Sequence, residues 1–429
     1  MKLKRLYVLI FSFFSILSLS ACSKENDNVN ANDTKPDIIT KLTGNTEITF
    51  WHAMNGPLEE ALTKITEDFM EENPNIKVNL QNQGDYSALH AKINTTAQNP
   101  KNFPTISQAY PGWIYSLAVD GQLENLKSYF ENDTIGWGNQ PKIKQSFLDG
   151  AKIEGIQYGI PFNKSTEVLY YNADLLKEYN LNIPKTIDEL REVSKVIYEK
   201  SNGQIKGAGF DSFSVYHTIG LKDQGITFSE DTKFDSKESR QVIDFYADGV
   251  DQGYFTIAGS DKSMTIPFVN EKVAMFIGSI SRESFVKKDS ASKFQYNVAA
   301  RPSVHNIQQG TDIYTFASAS DEQKTAAFLF MKYLSKPEVQ LYWSQKTGYM
   351  PTVEEVLNSD KYQDSKESKV PAVINETTKN LIVTKDTKNS DAAYAQVNAS
   401  MTEILSSPAS DREKLIKKAT IEIDDTWKQ

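Results

Sequence analysis

Apolar residues between positions 47 and 109 change period repeatedly, and that alternation restricts the fold more than any other feature of the sequence. Ile48-Thr49-Phe50-Trp51 reads as a strand. Pro57 suits the first turn of a helix, and Leu58, Ala61, Leu62, Ile65 and Phe69 then recur at helical spacing. Asn73-Pro74 stops that helix, and Ile76, Val78 and Leu80 alternate as in a strand with one buried face. A second helix is expected over 86–98 and a strand over 105–109. Strands and helices alternating at this spacing indicate a parallel α/β sheet. The pattern returns with strands at 168–171, 206–210 and 273–277 and helices at 186–200 and 237–252. The last third turns helical over 322–334, 337–346 and most of 391–428. Two α/β lobes with a helical C-terminal portion follow.

At 429 residues and 39% hydrophobic, the chain has material for two or three domains. Its net charge of −9, with no basic stripe, argues against a nucleic-acid partner. It contains a single cysteine, Cys22, so an intramolecular disulfide and a thiolate metal cluster are both excluded.

The position of that cysteine is informative. Lys2, Lys4 and Arg5 precede an uncharged apolar run from Leu6 to Leu19, which ends in Leu19-Ser20-Ala21-Cys22. The run is too short for a spanning helix, which needs about 20 residues, and has the form of a secretion signal. Its end resembles the lipobox of bacterial lipoproteins. The expectations are a signal peptide over 1–21, lipidation of Cys22, and a chain held at the extracytoplasmic face of the cell membrane. Residues 22–45 are polar and rich in Asn and Asp, and are expected to form a flexible tether.

Catalytic motifs are hard to find. His52, His90, His217 and His305 never adopt a metal-ligand spacing, no Walker-type loop or G-x-S-x-G elbow occurs, and no cofactor or metal is expected. Neighbouring carboxylates such as Glu59-Glu60 and Glu71-Glu72 read as solvated helix surface. A secreted glycan-processing enzyme with two opposed carboxylates is the competing expectation from another class. Aromatic and small polar residues do gather at strand ends and turns, where open α/β sheets bind ligands. Trp51, His52, Tyr86, Tyr110, Phe210, Phe213 and Tyr349 are among them.

The stretches FWHAMNGPLEEALTKITEDFMEENPNIKV and GDYSALHAKI, followed by IPFNKSTEVLYYNADLLKEYNL, VNEKVAMFIGS and KYLSKPEVQLYWSQKTGYMP, resemble the solute-binding components of ABC sugar importers. The resemblance covers most of 47–355 and weakens beyond. It implies a two-lobed periplasmic-binding-protein-like fold of type II, in which the solute is gripped between the lobes. Lobe one is expected to comprise 46–155 and 305–355, and lobe two 156–304 and 356–429. It further implies a monomeric receptor with no enzymatic activity, which hands a small solute to ABC permease subunits.

By position, the resemblance places Tyr86, Tyr110, Ser165, Ser279, Gly310 and Tyr349 at ligand contacts, and Phe210 and Phe213 where relatives line the cleft with tryptophan. Two departures stand out against the members that bind glycerol-3-phosphate. Pro111 replaces a glutamate after Gln108-Ala109-Tyr110, and Gln396 falls where an arginine holds phosphate. Lys164 has no charged counterpart there, and reads either as a substitute cation or as an exposed loop lysine. A neutral mono- or oligosaccharide is the expected solute, and glycerol-3-phosphate or a glycerophosphodiester the alternative.

Overall fold

The computed structural model describes residues 38–384 and 387–428. The expected signal peptide, Cys22 and most of the expected tether lie outside them. Strand β1 (Thr46–His52) buries Ile48 between the more open Glu47 and Thr49 and is wholly buried from Phe50 to His52. Helix α1 (Pro57–Glu72) starts on Pro57 and buries Leu58, Ala61, Leu62, Ile65 and Phe69, the stripe that the 3.6-residue period requires. β2 (Ile76–Asn82), α2 (Tyr86–Thr96), β3 (Ile106–Ala109) and α3 (Pro111–Val119) follow in βαβ order.

The next strands are β4 (Gly159–Pro161) and β5 (Glu167–Asn172). After helix α4 (Ile187–Lys200) and strand β6 (Lys206–Phe210) come α5 (Phe213–Asp223) and α6 (Lys237–Asp251). β7 (Phe255–Thr256), β8 (Val273–Ser279), α7 (Glu283–Ser290) and β9 (Tyr296–Ala300) complete that portion. β10 (Asp312–Thr315), α8 (Asp321–Leu334), α9 (Pro337–Thr347), α10 (Ser390–Ser406) and α11 (Arg412–Lys428) follow.

Two five-stranded sheets organise the lobes. One runs β2-β1-β3-β10-β4 and the other β9-β5-β8-β6-β7. In the first, β1 is parallel to β2 and β3, whereas β10 lies antiparallel to β3 and β4. In the second, β8 is parallel to β6 and antiparallel to β5. All of β5 is buried, because both sheet faces are covered. Val168 and Tyr170 face a core shared with lobe one, and Leu169 and Tyr171 face the core closed by α4, α6, α10 and α11. Full burial on both faces explains the unbroken apolar run of residues 273–277.

Two boundaries differ from those expected. Gly159–Pro161 pairs with β10 in the lobe-one sheet, so the chain crosses between lobes at 162–166 rather than at 155. It returns at 308–311, where Ser165 and Gln309 exchange backbone hydrogen bonds of 2.8 Å in both directions. The structured body also begins before residue 46. Ile38 and Leu42 pack on the lobe-one core, and Thr325 Oγ1 donates to the Ile39 carbonyl at 2.5 Å. Ile38 and Leu42 fasten this stretch to the lobe, so residues 38–45 do not form part of the expected tether. No helix among the described residues is long and apolar enough to cross a membrane.

Candidate functional site

The edge of each sheet that faces the opposite lobe supplies one wall of a cavity of about 430 Å3, within the range of small-molecule sites, about 300–1,000 Å3. On lobe one, Asp85 caps α2 by accepting from Ala88 N at 2.9 Å, which sets Tyr86 at the mouth of that helix. Tyr110 is the residue before Pro111, and Pro111 occupies the first turn of α3. The rings of Tyr86, Tyr110 and Trp113 meet edge to face with centroids 5.0–6.0 Å apart, a favourable quadrupole arrangement. Asn163, on the first crossing segment, donates to Tyr86 Oη at 2.9 Å while its Oδ1 accepts from Gln108 and Thr311. Burial pushes the phenols of Tyr86 and Tyr110 up, so both remain neutral hydroxyls at physiological pH.

The lobe-two wall is built from strand ends. Glu167 begins β5, Ser279 ends β8, and Asp211 follows β6. Ser165 Oγ and Ser279 Oγ lie 2.6 Å apart, and Ser279 Oγ is 2.9 Å from Ser281 Oγ. Tyr170 holds this floor by donating to the carbonyls of Ser279 and Ile280. Glu167 Oε2 accepts from Arg301 Nε at 3.1 Å, with both side chains buried. Burial pushes the Glu167 carboxyl up from its ordinary value, against the pull of Arg301. Asp211 Oδ2 accepts from Arg282 Nε at 3.1 Å. Thus three of the four charged side chains at the cavity are paired with an arginine or are that arginine, and the fourth, Asp85, caps a helix. Among the described residues no group of three or more His, Cys, Asp or Glu is placed to hold a metal ion.

Tyr86, Tyr110, Ser165, Ser279, Gly310 and Tyr349, expected from resemblance, all line this one cavity. The others do not. Phe210 is 1% exposed and packs against Tyr216 and Tyr246 in the lobe-two core. Phe213, 7% exposed, opens α5, and its N–H donates to Asn398 Oδ1. The strand alternation turns Phe210 inward, and Asp211 and Ser212 between the two phenylalanines reach the cavity instead. Trp51 donates to Gln81 within the lobe-one core, and His52 is buried with Nδ1 accepting from Met54 N. Gln396 lies on α10, bonded to Glu422 and Ser400. Lys164 is neither an exposed lysine nor a cation of the cavity. It is buried in an ion pair with Asp312.

Sequence reasoning missed Asn55, Asp85, Glu167, Asp211, Arg282 and Phe285, which also line the cavity. The available signal was charge at strand ends. Glu167 directly follows the Pro-Phe-Asn-Lys-Ser-Thr motif, and Asp211 directly follows a strand.

Two lobes joined by crossing segments, with a polar and aromatic cavity between them, define a two-domain solute-binding protein. Residues 64–370 match the family of bacterial extracellular solute-binding proteins, and the chain belongs to it. It is 26% identical over 332 residues to the sn-glycerol-3-phosphate-binding periplasmic protein UgpB of Escherichia coli K12, covering 71% of this chain and 74% of that protein. The fold is shared with the ABC substrate-binding protein Lmo0181 of Listeria monocytogenes, solved with cycloalternan (TM-score 0.77, 22% identity, 89% of this chain and 98% of that one). It is shared equally with the GacH receptor of Streptomyces glaucescens, solved unliganded and with acarbose (0.76, 21%, 90% and 99%). UgpB of Mycobacterium tuberculosis, solved with glycerophosphocholine, has the same fold (0.76, 18%, 89% and 99%).

Proposed function

We propose that this chain is the receptor of an ABC importer, that it captures a neutral mono- or oligosaccharide between its lobes, and that it delivers the sugar to membrane permeases. The observation that carries this reading is the charge state of the cavity. Glu167 is matched by Arg301 and Asp211 by Arg282, so the wall offers hydroxyls, amides and ring faces with little net positive charge. Such a surface suits sugar hydroxyls, which both donate and accept, and the tyrosine rings supply faces for the apolar side of a pyranose. The lipid anchor at Cys22 and the extracytoplasmic location belong to the same reading: a tethered receptor stays within reach of its permease. Lmo0181 and GacH, which share the fold, were solved with a saccharide and with acarbose, and agree with it.

Arg282 favours a second reading, in which its guanidinium meets the phosphate of glycerol-3-phosphate or of a glycerophosphodiester. Calorimetric titration of the mature protein with maltose, maltotriose, glycerol-3-phosphate and glycerophosphocholine separates the two. Micromolar saccharide binding is expected. Binding of a phosphate compound alone would replace the first reading with the second.

A further inference from the structure

We propose that Asp211 is the residue that sets the charge preference of the cleft, holding Arg282 as a donor to neutral hydroxyls and excluding anionic solutes. The proposal deepens, and rests on, the saccharide reading.

Among the described residues Arg282 is the only lysine or arginine lining the cavity, and its side chain is 41% exposed. A lone guanidinium there would attract phosphate, as planar forked donors do. Asp211 alters that. Its Oδ2 takes the Arg282 Nε–H at 3.1 Å, and its Oδ1 accepts from Met264 N at 2.6 Å and from Ser263 Oγ at 3.3 Å. Three donors hold this carboxylate in one orientation beside the guanidinium. The Arg282 Nη nitrogens make no hydrogen bond with the protein among the described residues, so they remain available to a ligand.

The local backbone is shaped around this carboxylate. Asp211 N donates to the Ile277 carbonyl at 2.9 Å, which places the residue one step beyond the end of β6 beside β8. A Cβ on the neighbouring Gly278 would stand 2.9 Å from Asp211 Oδ2, closer than side chains tolerate. Glycine at 278 thus leaves the space that the carboxylate fills.

The consequence is selective. A sugar hydroxyl can accept from Arg282 Nη without disturbing the pair. A phosphate at the same nitrogens brings up to two negative charges close to Asp211, and that repulsion offsets the attraction of the guanidinium.

The test is Asp211→Asn, which keeps the shape and one acceptor oxygen, enough for Met264 N but not also for Arg282 Nε, while removing the charge. Wild type and variant are titrated calorimetrically with maltotriose and with glycerol-3-phosphate at two ionic strengths. The variant is expected to gain about tenfold or more in glycerol-3-phosphate affinity, the gain shrinking with added salt. The double variant Asp211→Asn/Arg282→Gln is expected to lose it. If the asparagine variant melts early, Asp211→Ser takes its place in the same titrations. Unchanged glycerol-3-phosphate affinity in the folded variant, or a gain that survives removal of Arg282, overturns the inference while leaving the saccharide reading intact. A wild-type protein that already binds glycerol-3-phosphate and no saccharide overturns that reading itself.

Discussion

Lys164 Nζ and Asp312 Oδ1 lie 2.5 Å apart with side chains 3% and 0% exposed, joining the first crossing segment to the strand that follows the second. Burial pushes the Asp312 carboxyl up, and Lys164 counteracts it. Removing one partner of such a pair leaves an uncompensated buried charge, whereas removing both is far cheaper. Lys164→Met should therefore cost about 3–5 kcal/mol. Lys164→Met/Asp312→Leu should recover most of that loss. Denaturant melts of the two variants check the pair: equal losses in both would mean that the lysine matters only for its packing.

Gly310 makes a different demand. Its φ of +96° is one that side-chain-bearing residues avoid, and a Cβ there would stand 2.0 Å from the Asn163 carbonyl oxygen. Asn163 in turn positions Tyr86. Gly310→Ala should weaken solute binding about tenfold or more and lower the melting temperature by several degrees. Calorimetry and thermal melts measure the two effects, and normal affinity in the variant would show that the cavity does not depend on this turn.

His217 predicts a pH dependence. Burial lowers its pKa to about 3, with Nε2 2.7 Å from Ser239 Oγ. An unfolded histidine titrates near 6.5, so below that value the unfolded chain binds the extra proton. The contribution is complete above pH 6.5 and is lost as pH falls toward 3, with an upper figure of about 5 kcal/mol. His217→Leu should flatten the stability profile in that window, as denaturant titrations at pH 7, 5 and 4 would reveal.

A contact also spans the lobes at the rim. His90 on α2 stacks on Trp113 at 4.6 Å and lies 3.6 Å from Asp391 on α10. Asp391→Ala removes a link between the lobes and should speed solute dissociation by up to about tenfold, with association little changed. Stopped-flow tryptophan fluorescence reads both rates. An unaltered dissociation rate would mean that the rim contact does not help retain the solute.

The layout of elements was legible because it is written in local periods. The α1 stripe and the alternation in β2 each sit within one turn or one pleat of their neighbours. The six cavity residues were legible only through the quoted motifs and not through any local period, since they come from a helix start, two strand ends, the crossing segments and the turn after α9. Side-chain direction was not, and Phe210 shows why. One residue along a strand reverses the face, so a correct alignment to the cleft still misses Asp211 beside it. Lys164 was opaque for another reason. Its burial depends on Asp312, and Arg282 likewise depends on Asp211, 71 residues away. Partners that distant leave no periodic trace. The tether boundary failed on two side chains, Ile38 and Leu42, whose apolar character was averaged away by their polar neighbours.

The sheet order of lobe one has a consequence for assembly. β10, the segment at 312–315, sits between β3 and β4, so β4 cannot join the β2-β1-β3 sheet until more than 300 residues exist. Lobe two's sheet needs only the contiguous stretch from 167 to 300. Lobe two can therefore nucleate on its own residues, while lobe one closes only when a late strand wedges between two early ones. Long-range closures of this kind are slow. The first half of the nascent chain is thus left open for an extended period, exposing sheet edges that the finished protein covers.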